Sequence, residues 1–271
     1  MVEWRNGGKG LTNWSGSCMI FVCLYEVNNT KNPSKKGMET DMSERKQAPE
    51  TPWYLRPFGP LVSLALLCVV WGVYGKARLS GRRTRAQRAW QVVSQGCVYD
   101  LGRDLTRHNC FRYCNRGSLS SAYFAQATAA LSDGYIYLAL THSNSPAGEV
   151  IGLFTGRAYN HISLAFDRAL KTLVSYNGGE GGEAPGLNPE TLKGLAERKG
   201  ASVRVYRLAA TRHQKQIMLK RLRKINQEGS AYNLLGLLFP MSCQPNIMFC
   251  SQFVYAMLRL AGLHYFRKNP L

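Results

Sequence analysis

The sequence predicts an α+β fold: a small antiparallel sheet packed on helices, with a hydrophobic helix on its N-terminal side. Three observations predict it. Short runs rich in β-branched and aromatic residues begin near Gly134 and alternate with helical stretches. An amphipathic helical pattern closes the chain at Phe249–Ala261 and stops at Gly262. Upstream, the 19 residues PFGPLVSLALLCVVWGVYG, from Pro57 to Gly75, carry no charge.

The elements follow in order. Residues 1–52 contain Gly7-Gly8, Asn28-Asn29 and Pro33-Ser34-Lys35-Lys36 without a long periodic pattern, and are expected to form a poorly structured extension. Residues 53–76 hold the uncharged run, flanked by Trp53, Tyr54, Trp71 and Tyr74. At 1.5 Å per residue such a run approaches the ~20 residues that cross a bilayer. It is expected to act as a single membrane anchor, with a cleaved signal peptide and a buried core helix as the alternatives. More Lys and Arg follow the run than precede it, which puts the C-terminal side in the cytoplasm by charge bias. Residues 77–132 are expected to form a helical linker region. Residues 133–271 are expected to form the functional domain.

Within that domain, strands are expected at Tyr135–Thr141, Asn160–Asp167, Thr172–Asn177 and Ser202–Leu208. Helices are expected at Pro146–Phe154, capped by Ser145, at Pro189–Arg198, and from Thr211 to about Asn226. In NHISLAFD the period-2 alternation puts His161, Ser163 and Ala165 on one face and Ile162, Leu164 and Phe166 on the other.

Charge narrows the partners. The chain has 35 Lys+Arg against 16 Asp+Glu, a net +19, which favours anionic surfaces such as phospholipid head groups. The basic helix after Thr211 lacks interleaved aromatics for base stacking, so nucleic acid is not expected as a partner. Eight cysteines over 271 residues are too dilute for a disulfide-stapled scaffold. His108-x-Cys110-x-x-x-Cys114, with Cys97 nearby, offers ligand types that zinc uses, but no second pair follows at a usual distance. No metal or other cofactor is expected.

The chemistry centres on Cys250 and His161. Cys250 falls in the first turn of the closing helix, where the positive end of the helix stabilises a thiolate and free amides can bind an oxyanion. A thiol nucleophile needs a base, and a histidine on a strand facing a helix N-terminus supplies one. His161 and Cys250 are distant along the chain, so only the fold can bring them together.

Four segments, YNHISLAFD, VSYNGG, SAYNLLGLL and NIMFCSQFVYAMLRLAGL, in that order, resemble the circularly permuted papain-like amidases, the YaeF/YiiX-like relatives of NlpC-type peptidases. Lecithin retinol acyltransferase-like enzymes belong to the same broad class. The resemblance covers about Asp133–Leu263. Its telling point is order: the histidine strand precedes the cysteine helix, the reverse of the unpermuted arrangement. It implies a permuted papain-like fold and a thiol hydrolase cleaving an amide, with Cys250 as nucleophile and His161 as base. It also implies a third polar residue, usually on the strand after the histidine, that orients the imidazole. Ser175 and Asn177 occupy that strand, and Glu190, beyond a Gly-rich loop, is a more distant substitute. The expected substrate is a peptide, an amide or an acyl-lipid. Two alternatives stand beside the hydrolase: a membrane-associated lipid acyltransferase or esterase, and a non-catalytic scaffold.

Overall fold

The computed structural model describes residues 2–5, 58–105, 108, 111–143, 145–155, 159–179, 183–196, 200–234 and 244–263. Most of the N-terminal extension lies outside these residues, as do Trp53 and Tyr54 at the start of the hydrophobic segment and Cys110, Cys243 and His264.

The architecture is α+β. Five strands form an antiparallel sheet in the order β6-β2-β3-β4-β5, where β2 is Tyr135–His142, β3 His161–Ala165, β4 Val174–Asn177, β5 Gly186–Pro189 and β6 Ser202–Ala209. A short strand β1, Val2–Arg5, adds in parallel to β6 at one edge. Among the described residues there are eight α-helices: α1 (Phe58–Leu79), α2 (Arg83–Ser94), α3 (Cys97–Leu105), α4 (Ser121–Ala129), α5 (Pro146–Thr155), α6 (Leu192–Ala196), α7 (Arg212–Glu228) and α8 (Cys250–Leu260). A separate parallel pair joins β7 (Ala231–Tyr232) to β8 (Ile247–Met248) just before α8.

The sheet has two covered faces, and the period of the strands sorts side chains between them. Ile162 and Leu164 of β3, with Ile136 and Leu138 of β2, join the larger core with Met218 and Leu222 of α7 and Phe253 and Met257 of α8. Ala165, with Tyr137, Ala139, Val203 and Val205, joins a smaller cluster closed by Leu192 and Leu195 of α6. Helix α7 starts with a capping box between Thr211 and Gln214, which satisfies orphan donors of its first turn. Below that cap, the fully buried Lys215 donates to the carbonyls of Ala130, Asp133, Tyr135 and Phe166 at 2.6–2.9 Å. The stretch 130–135 and Phe166, which follows β3, are thus tied to one ammonium group on α7.

Two expectations change. The stretch from Asn115 to Ser132 is not a linker. Leu119, Tyr123, Phe124 and Ala127 belong to the same core as α8, and the Tyr123 hydroxyl donates to the Thr172 carbonyl at 3.1 Å. The boundary at residue 133 therefore passes through one packed core. The helix expected from Pro189 is also shorter than its pattern suggests. Residues 186–189 pair with β4 as a strand, and α6 begins only at Leu192. Gly186 permits this: its φ is +145°, and an added Cβ would meet Ser230 Oγ at 2.7 Å and Asn115 Cβ at 3.0 Å.

Helices α1, α2 and α3 form a cluster that meets the domain through α5. Among the residues whose side chains are described, no helix is long and apolar enough to cross a membrane.

Candidate active site

His161 opens β3, directly opposite Thr141 of β2. The residue before it is fixed on both sides. Asn160 Nδ2 donates to the Ser143 carbonyl at 2.8 Å, and Asn160 Oδ1 accepts from the Ser143 amide at 3.0 Å. The start of β3 is thereby held against the end of β2.

The imidazole meets a carboxylate. His161 Nε2 lies 2.9 Å from Glu190 Oε1. Glu190 follows β5, and its own amide donates to the Leu173 carbonyl at 2.9 Å, which fixes the backbone from which the side chain reaches across β4 to β3. The same Oε1 accepts from Asn177 Nδ2 at 2.9 Å, and Oε2 accepts a short hydrogen bond from the Ser163 hydroxyl. Three donors on two strands thus surround one buried carboxylate.

The ring also meets sulfur. A hydrogen bond with the Cys250 side chain is among the interactions that raise the pKa of the imidazole, so the thiol lies beside the ring. Burial disfavours a charged ring. The charge of Glu190 and the hydrogen bonds to Cys250 and Glu190 outweigh it and hold the His161 pKa well above the usual histidine value. Burial likewise works against the Glu190 carboxylate, but the charge and hydrogen bond of His161, with the bonds from Ser163 and Asn177, hold its pKa below the ordinary value. The pair is therefore an imidazolium–carboxylate couple with a thiol beside it.

Cys250 is the first residue of α8. Phe249 at the N-cap has extended backbone, φ −101° and ψ 168°, and provides no side-chain cap. The amides of the first turn have no helical acceptor and receive none from the cap, so they are available to an anion next to the sulfur. The loop that delivers the cysteine is braced. Asn246 Oδ1 accepts from Arg221 at 2.6 Å, and its Nδ2 donates to Glu228 Oε2 and to the Gly229 carbonyl, each at 3.1 Å. The Asn233 amide donates to the Met248 carbonyl at 2.9 Å, so the segment carrying Tyr232 and Asn233 braces the backbone ahead of the sulfur. Cys250 is 2% exposed and the His161 side chain 16%, so the open side of the site is the imidazole side.

The acceptor for the histidine is Glu190, and neither residue expected on β4 takes that role. Ser175 is fully buried, and its hydroxyl donates to the Ile162 carbonyl at 2.7 Å. It ties β4 to β3 and does not touch the imidazole. Asn177 stands one step further out, presenting its amide to Glu190 rather than its oxygen to His161. The reason is the pairing of β4 with β5, which carries Glu190 over the ring from the far strand.

Behind Glu190 runs a chain of amides. Asn115 Nδ2 donates to Asn188 Oδ1 at 2.8 Å, Asn188 Nδ2 donates to Asn177 Oδ1 at 2.7 Å, and Asn177 Nδ2 donates to Glu190. All three bonds point the same way, so each amide polarises the next toward the carboxylate. Ser163, Asn188 and Asn115 were not singled out from the sequence. Only Ser163 left a trace there, in sharing the face of β3 with His161.

No protein-family model matches the chain, and neither a curated protein nor a solved structure does. The reading of the site therefore rests on its own geometry. The Cys97 and Cys114 thiols are pushed up chiefly by burial, and the Cys114 thiol donates to the Pro185 carbonyl at 3.2 Å. Among the described residues no cluster of His, Cys, Asp and Glu fits a metal ion.

Proposed function

We propose that this protein is a thiol hydrolase of the permuted papain-like class that cleaves an amide through Cys250, His161 and Glu190. The observation that carries the reading is the grouping of the three side chains: a thiol at an uncapped helix N-terminus, an imidazole beside it, and a buried carboxylate on the ring's Nε2. That is the nucleophile, base and orienting group of acyl transfer, each in its role.

In the proposed reaction, Cys250 Sγ attacks the substrate carbonyl carbon as a thiolate, its proton held on His161. The carbonyl electron pair moves onto oxygen, and the first-turn amides of α8 receive the oxyanion. As the tetrahedral species collapses, the C–N bond breaks and His161 gives its proton to the departing amine. A thioester is left on Cys250. Water then attacks it, losing a proton to His161, and the acid leaves as the thiol is restored. Glu190 remains ionised throughout. It holds the ring in place beside the sulfur and stabilises the imidazolium.

The experiment is site-mapped alkylation with iodoacetamide. Cys250 is expected to label faster than Cys97 and Cys114, and the preference is expected to disappear in His161→Ala. Equal, slow labelling of all three thiols would remove the support for this reading.

A second reading keeps the same thioester and changes the acceptor: transfer or hydrolysis of a lipid acyl group at a membrane. The apolar outer surface of α1 favours it. Recovery of an acyl chain on Cys250 after incubation with phospholipid would distinguish it from amide cleavage.

A further inference from the structure

Helix α1 is apolar on both sides. Leu66, Val70 and Ala77 face inward and are buried among α2 and α3. The opposite side follows the i, i+3, i+4, i+7 spacing of a single helix face: Leu61, Leu64, Ala65, Cys68, Val69 and Gly72 are all exposed. Leu61, Leu64 and Val69 are 63%, 59% and 50% exposed. A helix facing protein on one side and water on the other would carry polar residues along this stripe. One that is hydrophobic all round needs an apolar cover on its second side as well.

The chain beyond the stripe says what that cover is. Trp71, Tyr74 and Trp90 form an aromatic cluster, with ring centroids 5.4–6.2 Å apart, where the apolar part of α1 ends. Lys76, Arg78, Arg82, Arg83, Arg85 and Arg88 follow immediately and are all exposed, and no Asp or Glu occurs between Phe58 and Gln95. Apolar, aromatic and cationic groups therefore succeed one another along one surface. Acyl chains, the interfacial layer and anionic head groups succeed one another in the same order across a leaflet. A second copy of this chain would satisfy the stripe but would bring an uncompensated cationic band to the contact.

We propose that the outward face of α1, with the aromatic cluster and the cationic band at its C-terminal end, docks onto an anionic phospholipid bilayer. The inference does not rest on the thiol chemistry and can fail separately from it. The stripe enters the acyl region, the tryptophans lie at the interface, and the guanidinium groups contact phosphate.

The test is co-sedimentation of the full chain with vesicles of phosphatidylcholine alone and of phosphatidylcholine with phosphatidylglycerol. Binding is expected to the mixed vesicles and to fall with added salt. Removing three surface charges in Arg82→Gln/Arg83→Gln/Arg85→Gln is expected to weaken it about 100-fold, at about fivefold per charge. Leu64→Glu/Val69→Glu is expected to abolish it. Circular dichroism and Cys250 alkylation, run on both variants, report whether the fold and the thiol site survive. Absence of binding to the mixed vesicles, or binding unaltered in the folded arginine variant, would overturn the proposal. So would a dimer by light scattering that the stripe variant dissociates while vesicle binding is absent.

Discussion

Glu190 and His161 are 29 residues apart in the chain and 2.9 Å apart in space. The strand pair that closes this gap, β4 with β5, also sets the electrostatics of the site. The carboxylate keeps its proton off and the imidazole keeps its proton on.

The pair makes stability depend on pH with a definable window. His161 binds its proton more tightly when folded. Its contribution is therefore complete below the ordinary histidine value of 6.5 and is lost as pH rises through the elevated folded value. Glu190 has the opposite sign. Its contribution is complete above the ordinary value of 4.5 and is lost as pH falls through the depressed folded value. Both are whole between about 4.5 and 6.5. Urea unfolding across pH is expected to show this maximum, and Glu190→Gln is expected to flatten it.

His161→Ala is expected to lower turnover of an amide substrate by about 10²–10⁴-fold, the usual worth of a positioned proton donor and acceptor. Cys250→Ala is expected to abolish it. Ser175→Ala, which loses the hydroxyl's bonds to the Ile162 and Tyr176 carbonyls, is expected to leave turnover intact while lowering stability by about 1 kcal/mol. Comparison of kcat with unfolding midpoints checks the contrast.

The amide chain predicts a graded effect. Asn188→Ala removes the donor to Asn177 and the acceptor of Asn115, and is expected to lower stability by about 1–3 kcal/mol. Asn177→Asp should act differently from Asn177→Ala. It brings a second carboxylate against Glu190, raises the pKa of the pair, and is expected to shift the acid limb of the pH–rate profile upward. A purely structural role for Asn177 would leave that limb unmoved.

Because Cys250 is almost fully covered, reagent size should govern its labelling. Iodoacetamide is expected to react, while a bulky maleimide of comparable reactivity is expected to react more slowly at Cys250 than at the exposed Cys68. The inverse order would place the sulfur at an open surface, contrary to its 2% exposure.

The sequence made some of this legible and concealed the rest for identifiable reasons. The alternation in NHISLAFD assigns faces because strand side chains have a period of two, and the two hydrophobic clusters divide β3 accordingly. The helix carrying Cys250 is legible from its apolar spacing, and its start at Cys250 puts the thiol in the first turn. Glu190 was harder. It follows GLNP, which lacks the β-branched and aromatic residues of a strand, and the Pro189 helix pattern masks the pairing with β4. Asn115 was harder still. A lone asparagine in the irregular stretch FRYCNRGS carries no local signal, and only long-range contacts, the bridge to Ser230 and the bonds to residues 184–188, bring it to the site. Local periodicity reports faces, whereas long-range strand pairing decides which polar groups share one.

The ammonium held by four carbonyls in α7 has a consequence for chemical probing. Lys215 has no solvent exposure, while Lys76, Lys171, Lys193, Lys220 and Lys224 are exposed. Reductive methylation of the native protein should therefore modify those five described lysines and spare Lys215, whose modification should proceed only as fast as the surrounding structure opens. A single amine thereby becomes a built-in clock for native-state opening, readable by mass spectrometry without any substitution.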